Sequence, residues 1–205
     1  MEHHLDTKLF NSAQSIQLRS ALPSDLCDEF ITSYKQNSDN QTLIEEIIQS
    51  CRQAIFKGDL DELLREHFEG DYHIFCTFYD RVDSQAEDYS FNTYWHLDYG
   101  LRKSLKLFVY LNPVSEHGGN TLMIDQKRTE IVRDAGALPI EQDKRHRDVA
   151  GILQKLGLDT QVLAYDLKAG DALLFSPFIL AHKCQPPRQG HERHTICYTI
   201  TPPIG

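Results

Sequence analysis

Apolar positions in the first third of the chain recur at helical spacing. Pro23-Ser24-Asp25 is a helix-start signature, and Leu26, Phe30, Ile31 and Tyr34 follow on one face. Leu43, Ile44, Ile47, Ile48, Cys51, Ala54 and Ile55 form a second stripe of period 3.6, ended at Lys57-Gly58. A third helix runs through Leu60, Leu63, Leu64 and Phe68 and stops at Gly70. From Asp71 the texture changes to short runs rich in aromatic and β-branched residues, predicting strands over 72–82, 91–99, 103–112 and 120–124. Asn112-Pro113 and Gly118-Gly119-Asn120 supply turns between them. The charged stretch 125–158 interrupts the pattern, and Val149, Ile152, Leu153 and Leu156 predict one helix inside it. Strands resume over 161–167, 172–175, 178–182 and 193–201. Helices first, then about eight short strands with one helical insertion, predict an α+β protein. Its core is expected to be a double-stranded β-helix (a jelly roll, cupin-like) with the N-terminal helices packed outside.

At 205 residues, with no Pro/Gly/Ser-rich linker, the chain reads as one domain. Residues 1–70 are the helical support and 71–205 the core, with 125–158 inserted. A net charge of −9 argues against a nucleic-acid partner, which needs a basic surface. Lys144-Arg145-His146-Arg147 reads as a solvated face. No apolar run resembles a signal peptide or reaches transmembrane length, so a cytoplasmic protein without a membrane partner is expected. Five cysteines without CxxC spacing read as free thiols in a reducing compartment. Cys184, two residues after His182, reads as a core or rim thiol rather than a ligand. The pattern specifies no oligomeric state.

Candidate chemistry begins with four His-x-acid pairs: His4-Leu5-Asp6, His67-Phe68-Glu69, His96-Leu97-Asp98 and His146-Arg147-Asp148. The first lies in the terminus. The second closes a helix, where residues two apart do not face each other. The fourth falls in the charged insertion. Only His96 and Asp98 lie in a predicted strand, where such spacing projects both to one face, and Tyr94, Trp95 and Tyr99 flank them. Far downstream, Ala169-Gly170-Asp171 forms a turn feeding a buried strand, and the run Phe178-Ile179-Leu180-Ala181 ends on His182. Two His and one carboxylate would leave open positions on one face of Fe(II). Eleven residues past His182, Arg193 leads into an apolar strand, which is costly unless an anion meets its guanidinium fork. Thr195 shares its face. His191-Glu192-Arg193-His194 lacks the helical spacing of zinc proteases and is not read as a metal site.

The ensemble resembles the Fe(II)- and 2-oxoglutarate-dependent dioxygenase superfamily over about 72–202. The resemblance rests on His-x-Asp, a distal His, and a basic residue about ten or eleven positions beyond it. The turn into Leu173-Leu174-Phe175 and the stretch from Tyr110-Leu111-Asn112 to Gly118-Gly119-Asn120-Thr121 are similar too. Arg at the basic position makes the phytanoyl-CoA-dioxygenase-like branch the nearer likeness. Met123-Ile124-Asp125-Gln126-Lys127 stands where that branch commonly has Gly-Ser-His. The resemblance implies that His96, Asp98 and His182 hold Fe(II), and that 2-oxoglutarate chelates it while pairing its far carboxylate with Arg193 and Thr195. It further implies that O2 is consumed, succinate and CO2 are released, and a C–H bond of a small organic substrate is hydroxylated. Halogenating relatives lack the carboxylate, so Asp98 points to hydroxylation or desaturation.

Three further cosubstrate contacts are candidates. Tyr94 shares the face of His96 on a regular strand, as a cavity wall or a core tyrosine. Lys106 alternates with apolar neighbours, as a snorkelling surface residue or a second cosubstrate contact. Tyr79, with Arg81, lies near the end of the first strand. The insertion is either a substrate lid or an external helix over a sheet edge. Two other functions compete: hydroxylation of a protein or peptide side chain, and non-redox metal or sugar binding of the cupin type. The latter has no use for a buried Arg193.

Overall fold

The structure, a computed structural model, describes residues 7–86, 91–99 and 103–203. His4-Leu5-Asp6 lies outside them. Helices α2 (Ser24–Gln36), α3 (Gln41–Ile55) and α4 (Asp59–His67) match the three predicted stripes. Asn40 caps α3 by accepting the Leu43 N–H at 3.2 Å, satisfying one of the orphan donors of its first turn. Before them come α1 (Thr7–Ala13) and β1 (Ser15–Leu18), which the apolar pattern did not announce.

Strand β1 joins β2 (His73–Asp83), β3 (Leu105–Tyr110), β5 (Ala172–Phe175) and β7 (Glu192–Thr201) in a five-stranded antiparallel sheet, ordered β1-β5-β3-β7-β2. A second sheet pairs β4 (Thr121–Met123) with β6 (His182–Cys184). Isolated bridges widen it: His96 pairs with His182 on one side and Met123 with Leu163 on the other, while Trp95 pairs with His146.

Period-two alternation decides what each face of the large sheet meets. Leu105, Leu107 and Val109 point outward with Leu174, Ile196 and Ile200, packing against Ile47, Ile48, Leu63 and Leu64 of the helices. Tyr198 joins this layer, and its hydroxyl donates to the Ile48 carbonyl at 2.9 Å. On the opposite face Tyr110, Leu173 and Phe175 pack with Met123, Leu167 and Leu180 between the two sheets. Lys106 and Arg193 line the unfilled part of that space.

Several predicted elements differ. Residues 91–99 hold a 3-10 turn (Phe91–Thr93) and the two isolated bridges rather than a strand. The apolar run before His182 is a turn, because the Ser176 carbonyl accepts the N–H groups of both Ile179 and Leu180; β6 begins at His182 rather than ending there. Within 161–167 only Leu163 pairs, as a single bridge. The insertion carries two helices, α6 (Gln126–Asp134) and α7 (Ala150–Lys155). The start signal of α6 was Asp125, whose carboxylate accepts the Arg128 N–H at 2.9 Å. Val132, Leu138, Val149 and Leu153 bury this layer against Trp95, Leu97 and Ala181.

Two loops set positions of consequence. Gly170, ahead of β5, has φ +82°, and a Cβ there would stand 1.9 Å from the Leu22 carbonyl oxygen. That oxygen belongs to backbone, so the clash cannot be relieved by a rotamer. Gly170→Ala is expected to cost about 3 kcal/mol or more in urea unfolding.

The turn after β3 carries α5 (Val114–His117). Buried His117 donates from Nε2 to the Asn112 carbonyl (3.3 Å), and its Nδ1 accepts the Gly119 N–H (3.0 Å). The bond accepted at Nδ1 requires the neutral ring, and burial lowers its pKa from 6.5 to about 4. Protonation therefore favours the unfolded chain. The stability contribution is complete above pH 6.5 and is lost as pH falls from there towards 4. Relative to His117→Gln, the wild type should lose roughly 2–3 kcal/mol more between pH 7 and 4.5; equal losses would refute this.

The five cysteines are unpaired. No helix among the described residues is long and apolar enough to cross a membrane.

Candidate metal centre

Ligand atoms of His96, Asp98 and His182 lie within 4.8 Å of one another, the one such cluster among the described residues. They converge because the His96 and His182 backbones exchange both hydrogen bonds of a bridge, at 3.0 and 2.9 Å. Directly opposed residues project to one face, which brings the two rings to a centroid separation of 4.3 Å. Asp98 is fixed by its N–H donating to the Pro177 carbonyl at 3.0 Å. Its Oδ1 stands 3.6 Å from His96 Nε2 and 3.8 Å from His182 Nε2.

Each ring is oriented from behind. His96 Nδ1 lies 2.7 Å from the Tyr94 carbonyl, and His182 Nδ1 lies 3.0 Å from that of Leu180. A carbonyl only accepts, so Nδ1 carries the proton in both and Nε2 keeps a free lone pair aimed inward. Burial lowers the pKa of His96 to about 4 and that of His182 well below its usual value, where His96 adds to the effect. Burial alone would raise Asp98, but His182, Lys106 and His96 outweigh it and hold the carboxyl below its ordinary range. The result is two neutral imidazoles and one anionic carboxylate, a donor set suited to a divalent transition metal with open positions.

Lys106 points inward from β3, and its Nζ pairs with Asp98 Oδ2 at 2.6 Å. The snorkelling alternative is thereby set aside. Arg193 is 3% exposed, on β7. One of its terminal nitrogens donates to Asp80 Oδ2 at 2.9 Å. Its Nε and Nη1 are buried with no partner. Leaving such donors orphaned costs roughly 1–3 kcal/mol each, so the position makes sense as half of an unfinished contact. Arg193 and both imidazoles line the same cavity, of about 130 Å³, together with Lys106 and Cys184. Cys184 is therefore a rim thiol outside the ligand cluster.

Other predicted positions are placed elsewhere. Tyr94 turns away: its hydroxyl accepts from Arg147 at 2.7 Å, and only its carbonyl serves the site. The segment is not a regular strand, so face-sharing by alternation fails. Tyr79 lies on the outer face of β2, stacked on Tyr34 at 4.1 Å with its hydroxyl 3.0 Å from His194 Nδ1. Arg81 pairs with Glu192 at the cavity rim. Thr195 is buried two residues from Arg193 but is not part of the cavity wall. Asp80, the partner of Arg193, was missed; its signal was the alternation Phe78-Asp80-Val82, which faces the cavity. His67 packs edge-on against Phe10 and Phe68, and Asp148 accepts the Ala150 N–H just ahead of α7.

A second, wider cleft of about 630 Å³ shares Asn92, His96 and Lys106 with the smaller cavity and adds Asp98. Ile140, Gln142 and Arg145 of the insertion form one wall. The insertion thus borders the site instead of merely covering an edge.

The sequence matches no family model and no curated protein. Solved structures match its shape. HygX from Streptomyces hygroscopicus, with nickel and 2-oxoglutarate bound, aligns with a TM-score of 0.61 at 11% identity, over 98% of this chain and 86% of the other. EctD from S. alaskensis aligns at 0.64 and 13% identity, over 98% and 78%. SnoN from nogalamycin biosynthesis, a non-heme alpha-ketoglutarate-dependent epimerase, aligns at 0.61 and 10% identity, over 95% and 81%. The chain has the fold shared by these three proteins.

Proposed function

We propose that this protein is an Fe(II)- and 2-oxoglutarate-dependent dioxygenase that hydroxylates a C–H bond of a small organic substrate, releasing succinate and CO2. One observation carries the reading. The two buried imidazoles of the His96/Asp98/His182 cluster and a buried guanidinium with two unpartnered nitrogens line one small cavity. The five-stranded sheet and the bridge-widened second sheet serve as the two walls of a jelly roll around it.

His96, Asp98 and His182 would hold the metal through Nε2, a carboxylate oxygen and Nε2. Arg193 would meet the far carboxylate of 2-oxoglutarate through a nitrogen that Asp80 leaves open. Lys106 neutralises Asp98 and is placed at the junction of cavity and cleft, where it would orient a second carboxylate. Phe108 and Phe175, in T-shaped contact at 5.6 Å, keep water from the inner wall. Iron, 2-oxoglutarate and O2 together would supply the oxidising chemistry. The same fold carries an epimerase, so the fate of the substrate C–H bond is read from the product.

Anaerobic titration with Fe(II) and then 2-oxoglutarate tests the class. A weak visible metal-to-ligand charge-transfer band is expected, followed by succinate release on admission of O2. Metal binding without that band would leave a cupin-type binder instead.

A further inference from the structure

Arg145 belongs to none of the roles above. It sits in the insertion, half-buried, on the wall of the wider cleft that contains His96 and Asp98. Its Nε is buried without a hydrogen-bond partner, and its Nη1 makes only a marginal 3.5 Å approach to the Phe91 carbonyl. Its neighbours in sequence are engaged: Lys144 pairs with Glu141 and Arg147 stacks on Tyr94 at 5.0 Å. No carboxylate among the described residues lies within ion-pair distance of Arg145. Partial burial disfavours its charge, an effect that Asp98 and Tyr99 only partly counter.

Besides the polar Asn92, Ser104, Lys106, Gln142 and Thr199, the cleft has large apolar side chains at its surface. Phe75 is 55% exposed, Tyr99 48% and Ile140 61%, and all three line it with Phe178. Large apolar side chains gathered at the mouth of a cavity mark a surface awaiting an apolar ligand. A guanidinium edge left open beside them fits an oxyanion, which accepts from Nε and the adjacent terminal nitrogen together.

We propose that the substrate is an amphipathic organic anion, held by Arg145 through a carboxylate or phosphate while its apolar body lies on Phe75, Tyr99, Ile140 and Phe178. This rests on the cleft being the substrate side of the site proposed above. Arg145 is then a specificity-determining residue that sets which part of the substrate overhangs Asp98.

Binding to metal-free protein tests this separately from the oxygenase reading, which stands or falls on the charge-transfer titration. Dissociation constants would be measured by ligand-observed NMR for 4-phenylbutyrate, its neutral amide 4-phenylbutyramide, and 4-phenylbutyl phosphate. Wild type should bind an anionic probe about tenfold more tightly than the amide, as one charge-assisted contact allows. Arg145→Gln should erase that preference and Arg145→Lys retain part of it. Arg193→Gln should leave it intact, which separates the cleft from the inner cavity. Carboxylate favoured over phosphate, or the reverse, identifies the oxyanion and supports the proposal either way. No anion preference in wild type, or a preference that survives Arg145→Gln, overturns it. Circular dichroism of each variant confirms that a lost preference is not lost folding.

Discussion

Asp98→Ala is expected to reduce succinate-coupled turnover at least about 1000-fold, equivalent to about 4 kcal/mol of transition-state stabilisation. Asp98 contributes the only anion of the three-residue cluster, and its Oδ1 faces both Nε2 atoms. Without it, two neutral imidazoles face Lys106, whose ammonium loses its partner at 2.6 Å. The local charge changes from balanced to positive, and a dication is repelled where it was attracted. Folding should survive, because the side chain is partly exposed at the cleft and the segment is held by backbone bonds to Pro177 and His182. The measurements are anaerobic Fe(II) binding, turnover, and thermal unfolding on the same preparation. Turnover above a tenth of wild type would remove Asp98 from the ligand set.

Arg193→Gln should raise the 2-oxoglutarate concentration for half-maximal charge-transfer absorbance roughly 100-fold, with Fe(II) affinity unchanged. Truncating one partner of a buried, hydrogen-bonded charge pair typically costs 2–5 kcal/mol, about two orders of magnitude or more. Asp80 also loses its cation, so some loss of stability accompanies the substitution. Arg193→Lys separates the two effects: it keeps a charge near Asp80 but presents a single point donor where a fork was open. Its cosubstrate affinity should lie between wild type and Gln while its stability stays near wild type. An unchanged titration midpoint in Arg193→Gln would place the anion site elsewhere.

Much of this arrangement was legible in residue order, and the errors are instructive. The β3 alternation of Leu105, Leu107 and Val109 against Lys106, Phe108 and Tyr110 assigned two faces correctly, since a pleated strand has no other option. The buried strand Ala172–Phe175 was bounded to the residue. His96 and Asp98 were singled out by assuming a strand, yet their segment holds only isolated bridges. The assumption therefore misled at Tyr94, whose side chain leaves the site. Tyr79 was judged by proximity in sequence, whereas the register of β2 gives the cavity to Phe78, Asp80 and Val82. Lys144-Arg145-His146-Arg147 looked like one solvated run, but Arg145 lines the cleft while Arg147 lies over the Tyr94 ring.

Residue order alone settled the helical stripes, the strand faces, and the short list of side chains able to bind a metal or an anion, because periodicity and donor chemistry are local properties. Convergence is not local. Asp80 meets Arg193 across 113 positions, and the His96–His182 bridge joins segments that no pattern within either one links. Which of several His-x-acid pairs faces a third ligand, and which arginine is left with open nitrogens, were decided only when sheet register and loop packing fixed the direction of each side chain.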